Sequence, residues 1–395
     1  MKSMATLLKV KREDRPLMYT IYYAFFVSGM MSTLIGALLP FMKSEYQMSY
    51  VLSGAVLSAH QIGNFSALLI AGVLPYLIGR KRSTLTLAMG IVIGFLLITL
   101  TANPLLLLLA FAFTGIGRGT FSNITNVVMS EIAENKAASL NLLHAVFAVG
   151  AFLAPFIAIL ATVVLNVGWR VSAWLLVAFE LIALLFISRS TLSSEPTKRS
   201  KGGEASFLRS SEFWINAATL FFYLCNEASI MGWLVTYFTD TGRLSPALAQ
   251  TTSSALWIFI LVGRLLCAYL ASKMNRNLLL IILGALQLSF FIMMITVDSI
   301  TLIYLSIFGF GLSMSGTYPT ILSTVDSKLT SSTIAMGSLI AVATLGAILM
   351  PTIVGSIAQV QGMAGGLATI SVAIGVMLFL MIIKFIRSYR GQHIQ

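Results

Sequence analysis

"STLSSEPTKRSKGGEASFLRSSE", residues 190–212, is the longest stretch of the 395-residue chain without apolar character. Its Ser, Gly and charge cannot build a core, so it reads as a linker between two regions that can. On each side of it lie six apolar runs, each near the roughly 20 residues that a helix needs to cross a bilayer. Before the linker they run Pro16–Pro40, Tyr50–Ile78, Thr84–Thr101, Pro104–Ser130, Ala138–Val167 and Val171–Ser188. After it come Phe213–Phe238, Pro246–Ser272, Leu278–Thr296, Ser299–Val325, Thr333–Val360 and Gly365–Ile386.

Composition leads to the same class: 58% hydrophobic against 10% charged residues is too apolar for an aqueous fold. Lipid-facing backbone must satisfy its own hydrogen bonds, and the runs lack the period-two alternation of barrel strands, so they are helices. The fold class expected is all-α integral membrane, twelve transmembrane helices in two pseudo-symmetric six-helix bundles. The bundles span residues 1–189 and 213–395, joined by the loop 190–212.

Lys and Arg favour cytoplasmic loops. With the N-terminus inside, only Lys43, Arg170 and Arg243 fall outside, and Arg118 and Arg264 lie within spans. The remaining basic residues fall in the two termini, the linker and the other inner loops, so both termini are expected on the cytoplasmic side of an inner (cytoplasmic) membrane. This distribution accounts for the net charge of +12 by topology and lipid headgroups, and nucleic acid is not an expected partner. Cys225 and Cys267 both lie in spans and form no multi-cysteine site. The first apolar run is long enough to be retained as a helix after its polar tail.

The halves share a local pattern: "GIG" at 115–117 and "GAFLAP" at 150–155 correspond to "GFG" at 309–311 and "GAILMP" at 346–351. This suggests duplication, with a possible coincidence of Gly/Ala-rich helices as the competing explanation.

A charged group deep in a span costs about 2.5–3.5 kcal/mol on insertion scales, so the few present are informative. Glu227, in "FFYLCNEASIMGWLVTYF", lies about 22 Å along its helix from Glu212. Arg118, in "GIGRGTFSNITN", lies about 20 Å from Glu131. Opposite charges at matched depth, one in each half, point to an ion pair or a shared solute, and Glu227 is the expected proton-coupling residue. Glu180 and Arg264 are read as structural. His60 and His144 are placed to titrate or to pack.

Polar residues mark the faces that see a solute: Thr317 and Thr320 in the hydroxyl stripe of the tenth span, Asn126 one side with Arg118, and Tyr223, Asn226, Trp233 and Tyr237 on the seventh. Rings with amides and one carboxylate suit a small polyhydroxy solute. Interhelical hydrogen bonding is the plainer use for the hydroxyls. No nucleotide loop, catalytic triad or zinc spacing appears, so neither an enzyme nor a cofactor is expected.

The string "GVLPYLIGRKR" at 72–82, between spans two and three, resembles the loop motif of the major facilitator superfamily through Gly72, Leu74, Gly79, Arg80 and Lys81, with Tyr76 where the family has Asp. Within it, "LNLLHAVFAVGAFLAP" (140–155) and "NEASIMGWLVTYF" (226–238) look most like fucose-permease-type sugar:proton symporters. That resemblance implies alternating access, an acid at Glu227, and solute-binding polar residues at Asn141, His144 and Asn126. The acid usual in the fourth helix is absent, with Ser122 near its place. The function expected is proton-coupled symport of a neutral sugar by a monomer, sodium being left open. The alternatives are an organic-anion transporter or exchanger using Arg118, and a drug/proton exporter.

Overall fold

A computed structural model describes residues 8–71, 73–195, 206–325 and 333–392. Gly72 of the loop motif and residues 196–205 of the linker lie outside the described residues. Within them the long elements are all helices: α1 Arg15–Glu45, α2 Tyr50–Ala71, α3 Arg80–Leu100, α4 Pro104–Ile132, α5 Lys136–Ile159, α6 Trp169–Arg189, α7 Ser211–Asp240, α8 Pro246–Ala271, α9 Arg276–Thr296 and α10 Ile300–Ser323. The last helix, Thr333–Gln392, is broken at Gly362, whose φ of 76° and ψ of 169° are not helical. Residues 333–361 form α11 and 363–392 form α12.

Among the described residues eleven continuous helices are therefore long and apolar enough to span, and the final one, 55 residues over Ala335–Tyr389, is long enough for two crossings. The twelve-helix reading stands. The ends differ in detail. α1 continues through Pro40 to Glu45. The second span stops at Ala71, before a short helix Leu74–Ile78. α5 loosens after Pro155 into a π-turn, Leu160–Val164, where Leu165 N donates to Leu160 O (2.8 Å).

The chain divides into two compact units, Met1–Gln47 with Ala59–Ser200, and Met48–Ser58 with Lys201–Gln395. In the first unit α1 packs on α5, α6 and α4, while α3 packs on α4 and α6. In the second, α7 packs on the last helix, and α10 packs on α8 and α9. The first turns of α2 belong to the second unit. There Tyr50 N donates to Gln359 Oε1 (2.9 Å), its hydroxyl donates to Asp240 Oδ2 (2.8 Å), and the Ser58 and Thr352 hydroxyls meet at 2.7 Å.

The repeated motifs can now be compared as packing. A Cβ on Gly150 of α5 would fall 2.1 Å from Phe26 O of α1, and one on Gly346 of α11 would fall 2.1 Å from Phe221 O of α7. The same helix pair therefore closes on the same motif glycine in each unit, which only a hydrogen at that position allows. The GxG pair obeys a different register. Gly115 faces α2 and Gly117 faces α3, whereas Gly309 faces α9 and Gly311 faces α8. Aligning the two GAxxxP glycines pairs Gly311 with Gly115, so the apparent GIG/GFG match is displaced by one glycine step.

At one end of each unit a tyrosine ties the first helix to the third. Tyr46, just past α1, donates to Ile98 O of α3 (2.8 Å), and Tyr237 of α7 donates to Ile295 O of α9 (3.1 Å). A guanidinium lies over each ring, Arg170 at 5.5 Å and Arg243 at 5.7 Å. Gly79 of the loop motif has φ +82°, and a Cβ there would also strike Ser194 O, so this position requires glycine. Beside it Lys81 N donates to Ser193 O (2.8 Å), and Arg80 pairs with Glu131 at 2.7 Å despite Tyr76 in the family's acidic position.

Candidate functional site

Glu227 lies midway along α7, one turn beyond Tyr223. The helical period places both on one face, and the Tyr223 hydroxyl donates to Glu227 Oε1 at 3.0 Å. That hydroxyl is also 3.4 Å from Met314 O of α10, and the Tyr223 ring lies 5.8 Å from that of Tyr318 on α10. The charge of Glu227 acts on both rings, and that of Arg264 on Tyr223. Arg264 reaches this neighbourhood because the preceding Gly263 lets α8 approach Leu312 and Ser315 of α10. The second unit thus holds a carboxylate, two phenols and a guanidinium within one electrostatic neighbourhood.

The other expected residues of this unit have different settings. Asn226 is wholly buried, and among the described residues neither amide atom has a hydrogen-bond partner. Trp233 and Tyr237 are fully buried as well, with Trp233 Nε1 donating to Pro351 O (3.2 Å) and Tyr237 holding the Ile295 carbonyl. On α10 the Thr317 hydroxyl turns onto Ser313 O (3.0 Å) and that of Ser313 onto Gly309 O (2.8 Å). Hydroxyls bonded to their own helix are what an apolar environment favours. Thr320 is buried on the same helix.

In the first unit Arg118 is half-buried on α4, and its charge acts on His60 of α2. His60 Nδ1 lies 2.9 Å from Thr114 Oγ1, which donates its own proton to Phe111 O (2.7 Å). With that proton engaged, Thr114 accepts, and Nδ1 is the protonated ring nitrogen. Asn126 Nδ2 donates to Ser122 O (2.6 Å) on its own helix. On α5 Asn141 is exposed, and the half-buried His144 sets its ring edge-on to Phe25 at 5.4 Å.

Two groupings therefore emerge: Glu227 with Tyr223, which the sequence indicates through i, i+4 spacing, and Arg118 with His60, which it does not. Tyr318 and Arg264 were missed as members of the Glu227 neighbourhood. Both come from other helices, and only the Gly263 and Gly311 contacts that draw α8 onto α10 hint at it in the sequence.

A family model described as Major Facilitator Superfamily matches residues 21–351. The inner membrane transport protein YdiM of Escherichia coli (strain K12) is 26% identical over 266 residues, 65% of this chain. The match spans 64% of that protein, less than two thirds of its length. Among solved structures, the nucleoside transporter NupG superposes with TM-score 0.78 at 12% identity, covering 93% of this chain and 100% of that one. A bacterial homologue of the human lysosomal transporter Spinster, inward-facing and occupied, gives 0.75 at 13% identity over 94% and 97% of the two chains. The human organic anion transporter MFSD10 gives 0.64 at 14% over 94% and 100%. At these identities the structural likeness is one of fold.

Proposed function

The chain belongs to the major facilitator superfamily, and from that premise we propose that it is a secondary transporter, not an enzyme, moving a small solute by alternating access. The residues 1–189 and 213–395 supply its two six-helix bundles, and the protein sits in an inner membrane with both termini cytoplasmic, as a monomer. Its solute is a neutral sugar or similar polyhydroxy compound, carried in symport with a proton.

The observation that carries this reading is the Tyr223–Glu227 hydrogen bond on an apolar helix. A carboxyl there is costly as an ion and cheap as an acid, and a phenol that donates to it narrows the difference. Such a group is suited to load and release a proton within one cycle. Tyr318 adds a second ring surface on which sugar C–H faces stack. In the first unit Arg118, Asn126, Asn141 and His144 supply donors for solute hydroxyls. Trp233, Tyr237 and Thr317, whose polar atoms are engaged, hold the scaffold in this arrangement.

Solute class is tested by thermal stabilisation of the purified protein against panels of sugars, carboxylates and lipophilic cations. Binding to the folded state alone raises the melting temperature. A rise with neutral sugars is expected. A rise with carboxylates alone would replace this reading by anion transport, and with cations alone by drug export.

A further inference from the structure

Helix α6 buries a stripe of Ala173, Leu176, Val177, Ala183, Leu184 and Ile187, and at its centre stands Glu180. Glu180 is 0% exposed, and among the described residues neither carboxyl oxygen has a hydrogen-bond partner. It lies near the middle of a 21-residue helix that packs against α1 and α3 inside the first unit. An unpaired carboxylate in such a place costs several kcal/mol, whereas the neutral acid costs what any polar group does. Among the described residues α1 carries three further buried hydroxyls without partners, those of Tyr22, Ser28 and Thr33.

The groups able to answer a charge on Glu180 are few. α3 has no titratable residue beyond Arg82, and the π-turn Leu160–Val164 has none. α5 offers His144, packed on Phe25, and Lys136 at its start. On α1, Arg15, Lys43 and Glu45 sit toward the ends, with Tyr19, Tyr22 and Tyr23 between. Of these Tyr23 reaches α6. Its hydroxyl donates to the carbonyl of Phe179, the residue before Glu180, at 3.3 Å, and its ring stands edge-on to Phe186 at 5.3 Å. Tyr23 is half-buried.

We infer that Glu180 is a second protonation site, lying in the core of the first unit and independent of Glu227. The carboxyl carries its proton while α6 is packed on α1 and α3. When that packing opens, the O–H bond breaks, the electron pair stays on the carboxylate, and the proton passes to entering water. The Tyr23 hydroxyl then turns from the Phe179 carbonyl to the anion. Glu227 is not needed for this step, and the site persists whatever the solute.

The test uses full-length protein in the Glu227→Gln background, so that the α7 carboxyl contributes nothing. Melting temperature is measured from about pH 5 to about pH 9. The folded state binds the Glu180 proton and the unfolded chain has lost it over this range, so stability falls as pH rises. A fall of roughly 3 °C or more is expected, and Glu180→Gln should flatten it and remove a carboxylic-acid carbonyl band from the infrared spectrum. An unchanged slope and an unchanged band in Glu180→Gln overturn the inference. Should that variant not fold, the Glu227→Gln protein itself carries the test. A protonated-carboxyl band in its infrared spectrum at about pH 8, where exposed carboxylates are ionised, is expected, and its absence overturns the inference as well.

Discussion

Tyr223 and Glu227 are joined by a 3.0 Å hydrogen bond within one turn of α7, with the phenol donating to the carboxylate. The donor favours the ionised form, so its removal shifts the balance toward the acid. Tyr223→Phe keeps the ring packed on Tyr318 and loses this bond together with the longer contact to Met314 O. A hydrogen bond to a charged group contributes about 1.5–3 kcal/mol, discounted here because Glu227 is partly exposed. The pH optimum of uptake should move up by roughly one unit with solute affinity little changed, as initial rates in proteoliposomes across pH would show.

Arg118 separates the solute classes. A neutral sugar needs donors from this side chain, and an ammonium supplies them, so Arg118→Lys should hold affinity within about tenfold. A carboxylate solute would use the planar fork, and the same change would then cost about a hundredfold or more. Equilibrium binding of whichever ligand stabilises the protein distinguishes the two.

The motif glycines should be intolerant in both units. Gly150→Ala and Gly346→Ala each place a Cβ about 2.1 Å from a carbonyl of the facing helix, forcing the pair apart at a cost of about 1–3 kcal/mol. Gly375 has no atom within 4 Å of such a Cβ, so Gly375→Ala should be neutral or stabilising. Melting temperatures of the three variants check both the cost and its equality in the two units.

The Arg170 cluster is another stability element. Its ion pair with Glu45 is about one third exposed on the arginine side and so contributes little alone. Yet the guanidinium also donates to Thr99 O (3.0 Å) and Tyr46 Oη (3.1 Å) and stacks on Trp169 at 4.8 Å. Those contacts need a planar fork, so Arg170→Lys should lose most of what Arg170→Ala loses, roughly 1–3 kcal/mol. If Lys restored the parent melting temperature, charge alone would be responsible.

The helices were legible because each apolar run ends in charge or turn residues, and the Ser190–Glu212 stretch stands out against them. The register of the internal repeat was not. "GIG" and "GFG" read alike as letters, but they turn their glycines toward different neighbours, and only packing reveals the offset. Glu227 and Tyr223 were legible because both lie on one helix, whose period fixes their proximity. Tyr318, Arg264 and the His60–Thr114 pair come from separate helices, and no spacing within the chain encodes their approach. Trp233 and Tyr237 look like lining residues as a stripe, but their polar atoms are taken by the carbonyls of Pro351 and Ile295.

Proton coupling at Glu227 is tested most directly by Glu227→Gln reconstituted in proteoliposomes, with pH-driven uptake and solute counterflow measured on the same preparation. The amide keeps shape and hydrogen bonding but cannot titrate. Uphill accumulation should vanish while counterflow persists, because exchange does not require the empty carrier to return, and Glu227→Asp should keep some coupling with a shifted pH optimum. Accumulation by the Gln variant at the parent rate would contradict the assignment and place the coupling proton elsewhere.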